Sequence, residues 1–387
     1  MKSVNVKRRF KLPPPYLTVA IISVVLALTA FILAGTVGNG LYEQRAAEAW
    51  SGGDGSTSYT QVSVFYGRGT GLNYDAFARF NSGLETKLIA DITASGNVGA
   101  RMWFDAASTD TALAVARDGT TVQATATGVI GEFFRIHSLD MMSGQTLKAD
   151  EAAKDIVLLD WDTAWRLFGA SDIVDMRVEV GGIPCVVGGV FEKSKDDTVQ
   201  NRVYVSYELL ERLTPGVQLS TLEVVLPNPI GGYGVGAVTG LVTTPEIDRE
   251  IVENAGRFTG KSLFSAIGSL GGAITRTKAI ALPYWENTAR VRMYTAAIFY
   301  LLALVFTVFP AIIVLVFIIK LIRRRRNLIP FIKGRIDTAK SNKRASKNEA
   351  LREGERNFED DKDIELEESH SDDTDGAHAR DTVGSVR

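Results

Sequence analysis

Four groupings of residues could carry chemistry. Ala255-Gly256-Arg257-Phe258-Thr259-Gly260-Lys261-Ser262 fits a relaxed phosphate-cradling loop, with alanine at the first glycine. Backbone N–H groups hold phosphates there only when a strand precedes the loop and a helix follows. The pattern around Ile247 and Ile251 predicts a helix before it, and no strand ending in aspartate stands nearby, so the match is read as fortuitous. Gly232-Tyr233-Gly234-Val235-Gly236-Ala237 loosely fits a dinucleotide turn, but Leu226-Pro227-Asn228-Pro229 before it reads against a central strand, because proline lacks the ladder donor. A flexible, connecting glycine-rich loop is expected instead, with a moving or partner-facing loop as the alternative. Asp160 with Asp162, and Asp196 with Asp197, have the residue types of an acid/base pair; helix capping and a solvated turn account for them. His137 is the one histidine outside the C-terminal 20 residues and is read as structural. Cys185, the single cysteine, excludes a disulfide framework and is read as a buried thiol in a strand. No metal-ligand spacing occurs. The sequence therefore assigns no catalytic, cofactor-binding or metal residue, and no cofactor.

The elements around these residues explain why. The chain has 387 residues, length for about two domains. A content of 45% hydrophobic and 23% charged residues excludes wholesale disorder. Tyr16–Val37 is free of charge and follows Lys2, Lys7, Arg8, Arg9, Lys11 and Pro13–Pro15. It has the ~20 apolar residues a spanning helix needs. A cleaved signal would have a shorter apolar core and a small-x-small site, and Ala34-Gly35-Thr36-Val37-Gly38 is a poor one. Met293–Ile319 is a second charge-free run, closed by Lys320 and Arg323–Arg326. Basic flanks stay in the cytoplasm. The expected order is a basic cytoplasmic N-terminus (1–15), a first span (16–37), an extracytoplasmic domain (38–292), a second span (293–319) and a cytoplasmic tail (320–387). Ala30, Ala34 and Gly38 form a small-residue stripe suited to helix–helix contact. Neither span carries an ionisable residue, which argues against an ion pathway through this chain alone.

Between the spans, short strands and helices mix without a βαβ rhythm, which reads as α+β. Gln61–Tyr66 alternates. Asp118-Gly119 and Gly181-Gly182 sit between strand pairs as hairpin turns. Ile156–Leu159 reads as a strand, followed by a helix capped at Asp160 or Asp162 and ending near Gly169, with Trp165 and Phe168 facing the core. Thr244-Pro245-Glu246 reads as the start of a helix that carries Ile247 and Ile251 inward and ends near Gly256. Tyr284-Trp285, ahead of Arg290 and Arg292, reads as an aromatic elbow at the outer membrane interface.

The phrase Gly128-Val129-Ile130-Gly131-Glu132-Phe133-Phe134-Arg135-Ile136, then Leu139 and Met142-Ser143-Gly144-Gln145, resembles a run found in MacB-like periplasmic core domains. Ile156–Leu159, Trp165–Gly169, Val178–Val180 and Val186–Val190 follow in that family's order, so the likeness is clearest over 130–192. The resemblance implies a permease subunit of MacB/FtsX-type (type VII) ABC systems. In these a cytoplasmic ATPase drives the spans and the exported domain changes shape. Such permeases usually carry four spans. Here one span follows the domain, and Asn327-Leu328-Ile329-Pro330 stands where the family has E-I-G, so a reduced or accessory subunit is expected.

Lys320–Lys347 holds 11 basic residues against Asp337, and Glu353–Asp375 holds 12 acidic against two basic. Such blocks bury no core and are read as disordered. The basic block would lie on anionic lipid, or Leu328–Arg335 would form a short helix docking on an ATPase. The partners expected are membrane lipids, an ABC ATPase, a multi-span permease and a second copy of the chain, but not nucleic acid. The leading reading is a non-catalytic subunit of an ABC-type transport or export system. The other is a membrane-anchored receptor or scaffold without an ATPase.

Overall fold

A computed structural model of the chain describes residues 14–39, 41–50, 58–93, 103–148, 155–270 and 279–368. In chain order the elements are α1 (Pro15–Val37), α2 (Ala46–Trp50), β1 (Tyr59–Tyr66), α3 (Tyr74–Thr93), β2 (Phe104–Arg117), β3 (Thr120–Gly131), α4 (Phe133–Ile136), β4 (Asp140–Gly144), β5 (Ile156–Asp160) and α5 (Trp161–Phe168). Then come β6 (Arg177–Val180), β7 (Ile183–Glu192), β8 (Arg202–Ser206), α6 (Tyr207–Leu213), β9 (Thr221–Pro227), α7 (Tyr233–Leu241), β10 (Arg249–Glu253), α8 (Gly260–Ser269) and α9 (Tyr284–Glu368).

The described strands form one sheet in the order β10-β1-β9-β2-β3-β8-β5-β7-β4, with β6 bridging β2 and β7. Pairing is antiparallel except at β3–β8 and β5–β7. The hairpin of β2 and β3 forms the long spine, in register from Ala106↔Gly131 to Arg117↔Thr120. Its turn places Asp118 at φ 48° and Gly119 at φ 85°, and Gly181 and Gly182 turn β6 into β7 at 57° and 84°. Positive φ at both positions matches the strand twist, which is why these turns take glycine and aspartate.

Alternate residues of each strand point to opposite faces. On one face Val157, Leu159, Val203 and Val205 pack beneath Ala164, Leu167 and Leu209 of α5 and α6. On the same face Val62, Val64, Leu222 and Val224 pack with Phe80, Leu84 and Val238 of α3 and α7. The other face carries Phe104, Leu158, Phe191 and Tyr204 with Phe133 and Trp285. The result is a mixed α+β domain flanked by two helices long and apolar enough to cross a membrane.

Three local readings change. In α5, Asp160 caps the helix through Thr163 N at 3.0 Å and Gly169 closes it in the left-handed region. Ala164 and Leu167 face the core, however, and Trp165 is 54% exposed, stacked on Trp161. After Thr244-Pro245 only a 3-10 turn forms (Glu246–Asp248), with Ile247 72% exposed. The chain then becomes β10, because Ile251 and Val252 pair with the open edge of β1. Gly232 begins α7 rather than a loop, and β9 before it is a central strand that tolerates Pro227 at its last position, opposite Tyr59.

α1 starts at Pro15, whose fixed φ suits a first helical residue. Its 23 residues span about 35 Å at 1.5 Å each. Ala20, Ala27, Ala30 and Ala34 are its buried positions, and Phe31 meets Tyr300 of α9 at 6.4 Å between ring centres. Gly38 lies so close to the Phe258 ring that a Cβ would fall 2.9 Å from it. Pro310–Arg387 forms a unit of its own. The sequence predicts a tail without fixed structure from 320; helical backbone runs on to Glu368, and the described side chains from Gly334 to Ala350 are all exposed. Nothing packs on that stretch, so the helix there rests on the local preference of its Lys, Arg, Ala and Glu residues. Residues 369–387 lie outside the described residues.

Candidate functional site

The densest polar cluster lies where both apolar helices meet the core domain. It begins on β9 with Glu223, 2% exposed. Glu223 accepts from Ser63 Oγ at 2.8 Å and from Gln61 Nε2 at 3.3 Å. Its other oxygen pairs with Nε2 of His137, the residue closing α4. The imidazole packs against Phe133 and Trp285, with ring centres 4.5 and 4.3 Å away. Nδ1 lies 3.9 Å from Glu43 Oε2, an ion-pair distance too long for a hydrogen bond. Burial works against a charge on His137, but Glu223 and Glu43 outweigh it and raise the pKa to about 9. The ring is therefore an imidazolium at neutral pH, clamped by two carboxylates and unsuited to act as a base.

From Ser63 the network continues through Asn254 Nδ2 at 3.0 Å to the turn before α8. There Arg257 donates both terminal nitrogens to Glu286 at 2.8 Å each, a bidentate pair, and touches Asn254 Oδ1 at 3.3 Å. Glu286 lies in the first turn of α9 and also accepts from Arg290 Nε at 2.6 Å; Arg290 in turn reaches Glu250 of β10 at 2.5 Å. An unbroken chain of polar contacts thus runs from α4, across β9 and β1, into α9.

The segment after α1 joins the same place. Tyr284 Oη donates to Glu43 at 3.0 Å, and Gln44 Nε2 donates to the Trp285 carbonyl at 3.0 Å. Gln61 ties this linker to β1 through the Glu43 carbonyl at 2.8 Å and the Ala46 amide at 3.2 Å. On the far side the β7–β8 loop contributes two separate ion pairs. Asp197 holds the buried Arg202, which also reaches Asp110 at 3.2 Å, while Asp196 meets Arg292 of α9 at 2.9 Å.

Most of the sequence-read groups sit elsewhere. Asp160 caps α5, with Asp162 in its first turn, and burial pushes the Asp160 carboxyl up. Cys185 is buried in β7, its thiol pushed up to about 11 by burial and then by Asp155. The 255–262 stretch follows strand β10, not a helix, and leads into α8, so its local order is that of a phosphate loop. Three of its side chains are nevertheless committed internally: Ser262 Oγ donates to the Gly256 carbonyl at 2.8 Å, Thr259 caps α8, and Arg257 holds Glu286, while Lys261 is exposed. Trp285 is 3% exposed, packed in the core with Phe133, so its ring is not offered to the surface as the elbow reading expects. Among the described residues no group of three or more His, Cys, Asp or Glu is placed to hold a metal ion.

The joint itself escapes sequence reasoning, because its partners stand 29 residues apart (Arg257, Glu286), 86 (His137, Glu223) and 241 (Gln44, Trp285). One signal was available: four ionisable residues, Glu286, Arg290, Arg292 and His137, beside aromatic residues at the entrance to an apolar run or after the family-like phrase. Chemically the arrangement fastens helices to a sheet; it presents no nucleophile with a free base.

No curated protein sequence matches the chain. Among solved structures, the extracellular domain of the noncanonic ABC-type transporter YknZ from Gram-positive bacteria aligns at 16% identity and TM-score 0.37, covering 50% of this chain and 99% of that one. The periplasmic region of MacB from Actinobacillus actinomycetemcomitans aligns at 14% identity and TM-score 0.39, covering 56% and 94%. The family assignment rests on sequence and not on these scores: the profile of the MacB-like periplasmic core domain matches residues 17–231, more than half the chain. The chain belongs to the family of proteins with a MacB-like periplasmic core domain.

Proposed function

We propose that this chain is a non-catalytic membrane subunit of an ABC-type, MacB/FtsX-like transport or export system. In this reading residues 38–292 lie outside the cytoplasmic membrane, both termini lie inside, and a separate cytoplasmic ATPase acts on the spans beside a multi-span permease. The observation that carries it is the joint. Both ends of the core domain are fastened to the start of α9 by Arg257–Glu286, Gln44–Trp285 and Glu43–Tyr284. A displacement of α9 therefore pulls on β1 and β9 directly, since a contiguous polar and packed network carries force without a flexible linker. A loose tether would need none of these buried contacts.

The test is affinity purification of the full-length chain from native membranes in mild detergent, with the co-purifying proteins identified. Recovery of an ABC ATPase together with a permease is the expected result. Recovery of neither, from folded protein in more than one detergent, would replace this reading with an anchored receptor or scaffold.

A further inference from the structure

Helix α8 packs on the apolar helices, not on the sheet. Its Leu263 and Ala266 are buried against Ala296 and Ala297 of α9, with Val37, Phe258, Met293, Tyr294 and Tyr300 around them. Val37 ends the first apolar helix, and Met293–Tyr300 opens the second apolar run. About 100° around α8 from Leu263, on the flank of that packed face, Phe264 is 65% exposed. Gly260 precedes it by one turn on the same stripe of the helix. That glycine lies so close to Tyr300 that a Cβ would fall 3.2 Å from the phenol oxygen. The Phe264 stripe thus borders the second apolar helix and does not turn away from it. Lys261, also exposed, stands in the first turn of α8.

Depth follows from length. Met293–Ile319 spans 27 residues, about 40 Å of helix, against a hydrocarbon layer of roughly 30 Å. The first turns of that run, the ones α8 touches, therefore sit at the boundary between headgroups and acyl chains. A short helix docked there, with one aromatic ring outward and one lysine at its edge, has the composition of an interfacial helix.

We propose that α8 lies in the membrane interface on the core domain's side of the bilayer, with Phe264 against lipid acyl chains and Lys261 reaching headgroup phosphate. Lipid is the occupant because the exposed ring continues the surface of two helices that face lipid. The inference rests on those helices crossing the membrane, and the experiment separates the two. The full-length chain carrying Cys185→Ser is reconstituted into phosphatidylcholine–phosphatidylglycerol vesicles with one spin label, at Phe264→Cys, Lys261→Cys, Val25→Cys or Ile230→Cys. Collision with oxygen and with a water-soluble nickel chelate gives the depth of each label. The label at 264 should favour oxygen, as at 25, with nickel collisions several-fold rarer than at 230; the label at 261 should fall between. Free nickel access at 264 alongside a lipid-embedded 25 would overturn the proposal and spare the spans. Shielding of 264 from both reagents would overturn it in favour of a second copy or another subunit. Free nickel access at 25 would overturn both.

Discussion

Glu286 and Arg257 bury opposite charges with side-chain exposures of 1% and 6%. Removing one member of such a pair strands the other without water or counter-charge, at about 3–5 kcal/mol. Glu286→Gln should therefore lower the thermal midpoint of the detergent-solubilised chain sharply, while Arg257→Met combined with Glu286→Leu should recover much of the loss. An unchanged midpoint in the single variant would show that the pair contributes nothing. His137 adds a pH dependence of defined sign. Its folded pKa of about 9 lies above the ordinary value of 6.5, so its ion pairs contribute fully below pH ~6.5 and are lost as pH rises through ~9. A stability profile from pH 6 to 10 should slope downward across that window, and His137→Gln should flatten it. A slope of opposite sign would remove the imidazolium from the account.

At the scale of elements, α7 is the decisive case. Gly234 is buried on β1, where a Cβ would lie 2.3 Å from Thr60 Cγ2. Gly234→Val should cost about 1–3 kcal/mol through overpacking, read by denaturant unfolding, whereas a mobile loop would accept it freely. The same helix marks the limit of what the sequence reveals. The hairpins at Asp118-Gly119 and Gly181-Gly182, and the caps of α5 at Asp160 and Gly169, were legible because positive φ and orphan amides demand particular residue types nearby. The glycines of α7 look like a loop because the helix is held by packing on β1 and α3, elements far earlier in the chain. Likewise Thr244-Pro245 signals a helix start truthfully, but a vacant sheet edge claims the residues beyond Asp248. Trp165 reads as core by type, although the smaller Ala164 and Leu167 fit the sheet and leave it outside.

For the molecule as a whole, the reading of two spans with the domain outside makes a sided prediction. In intact cells a membrane-impermeant thiol reagent should label Ile230→Cys or Ile247→Cys, both 72% or more exposed. It should spare cysteines placed at Ser3 or Ser346 until the membrane is opened. Labelling of Ser3 in intact cells would reverse the orientation. The bonds from Glu43 to Tyr284 and from Gln44 to Trp285 also bring the entry and the exit of the domain together at one point. A fold whose two ends adjoin can be inserted into a connecting loop without spreading what the loop connects. The core domain is in this sense a cassette with two adjoining seams, and an exchange with a relative's domain would keep the helical pair intact only if Arg257, Phe258 and α8, which pack on those helices, stayed behind with them.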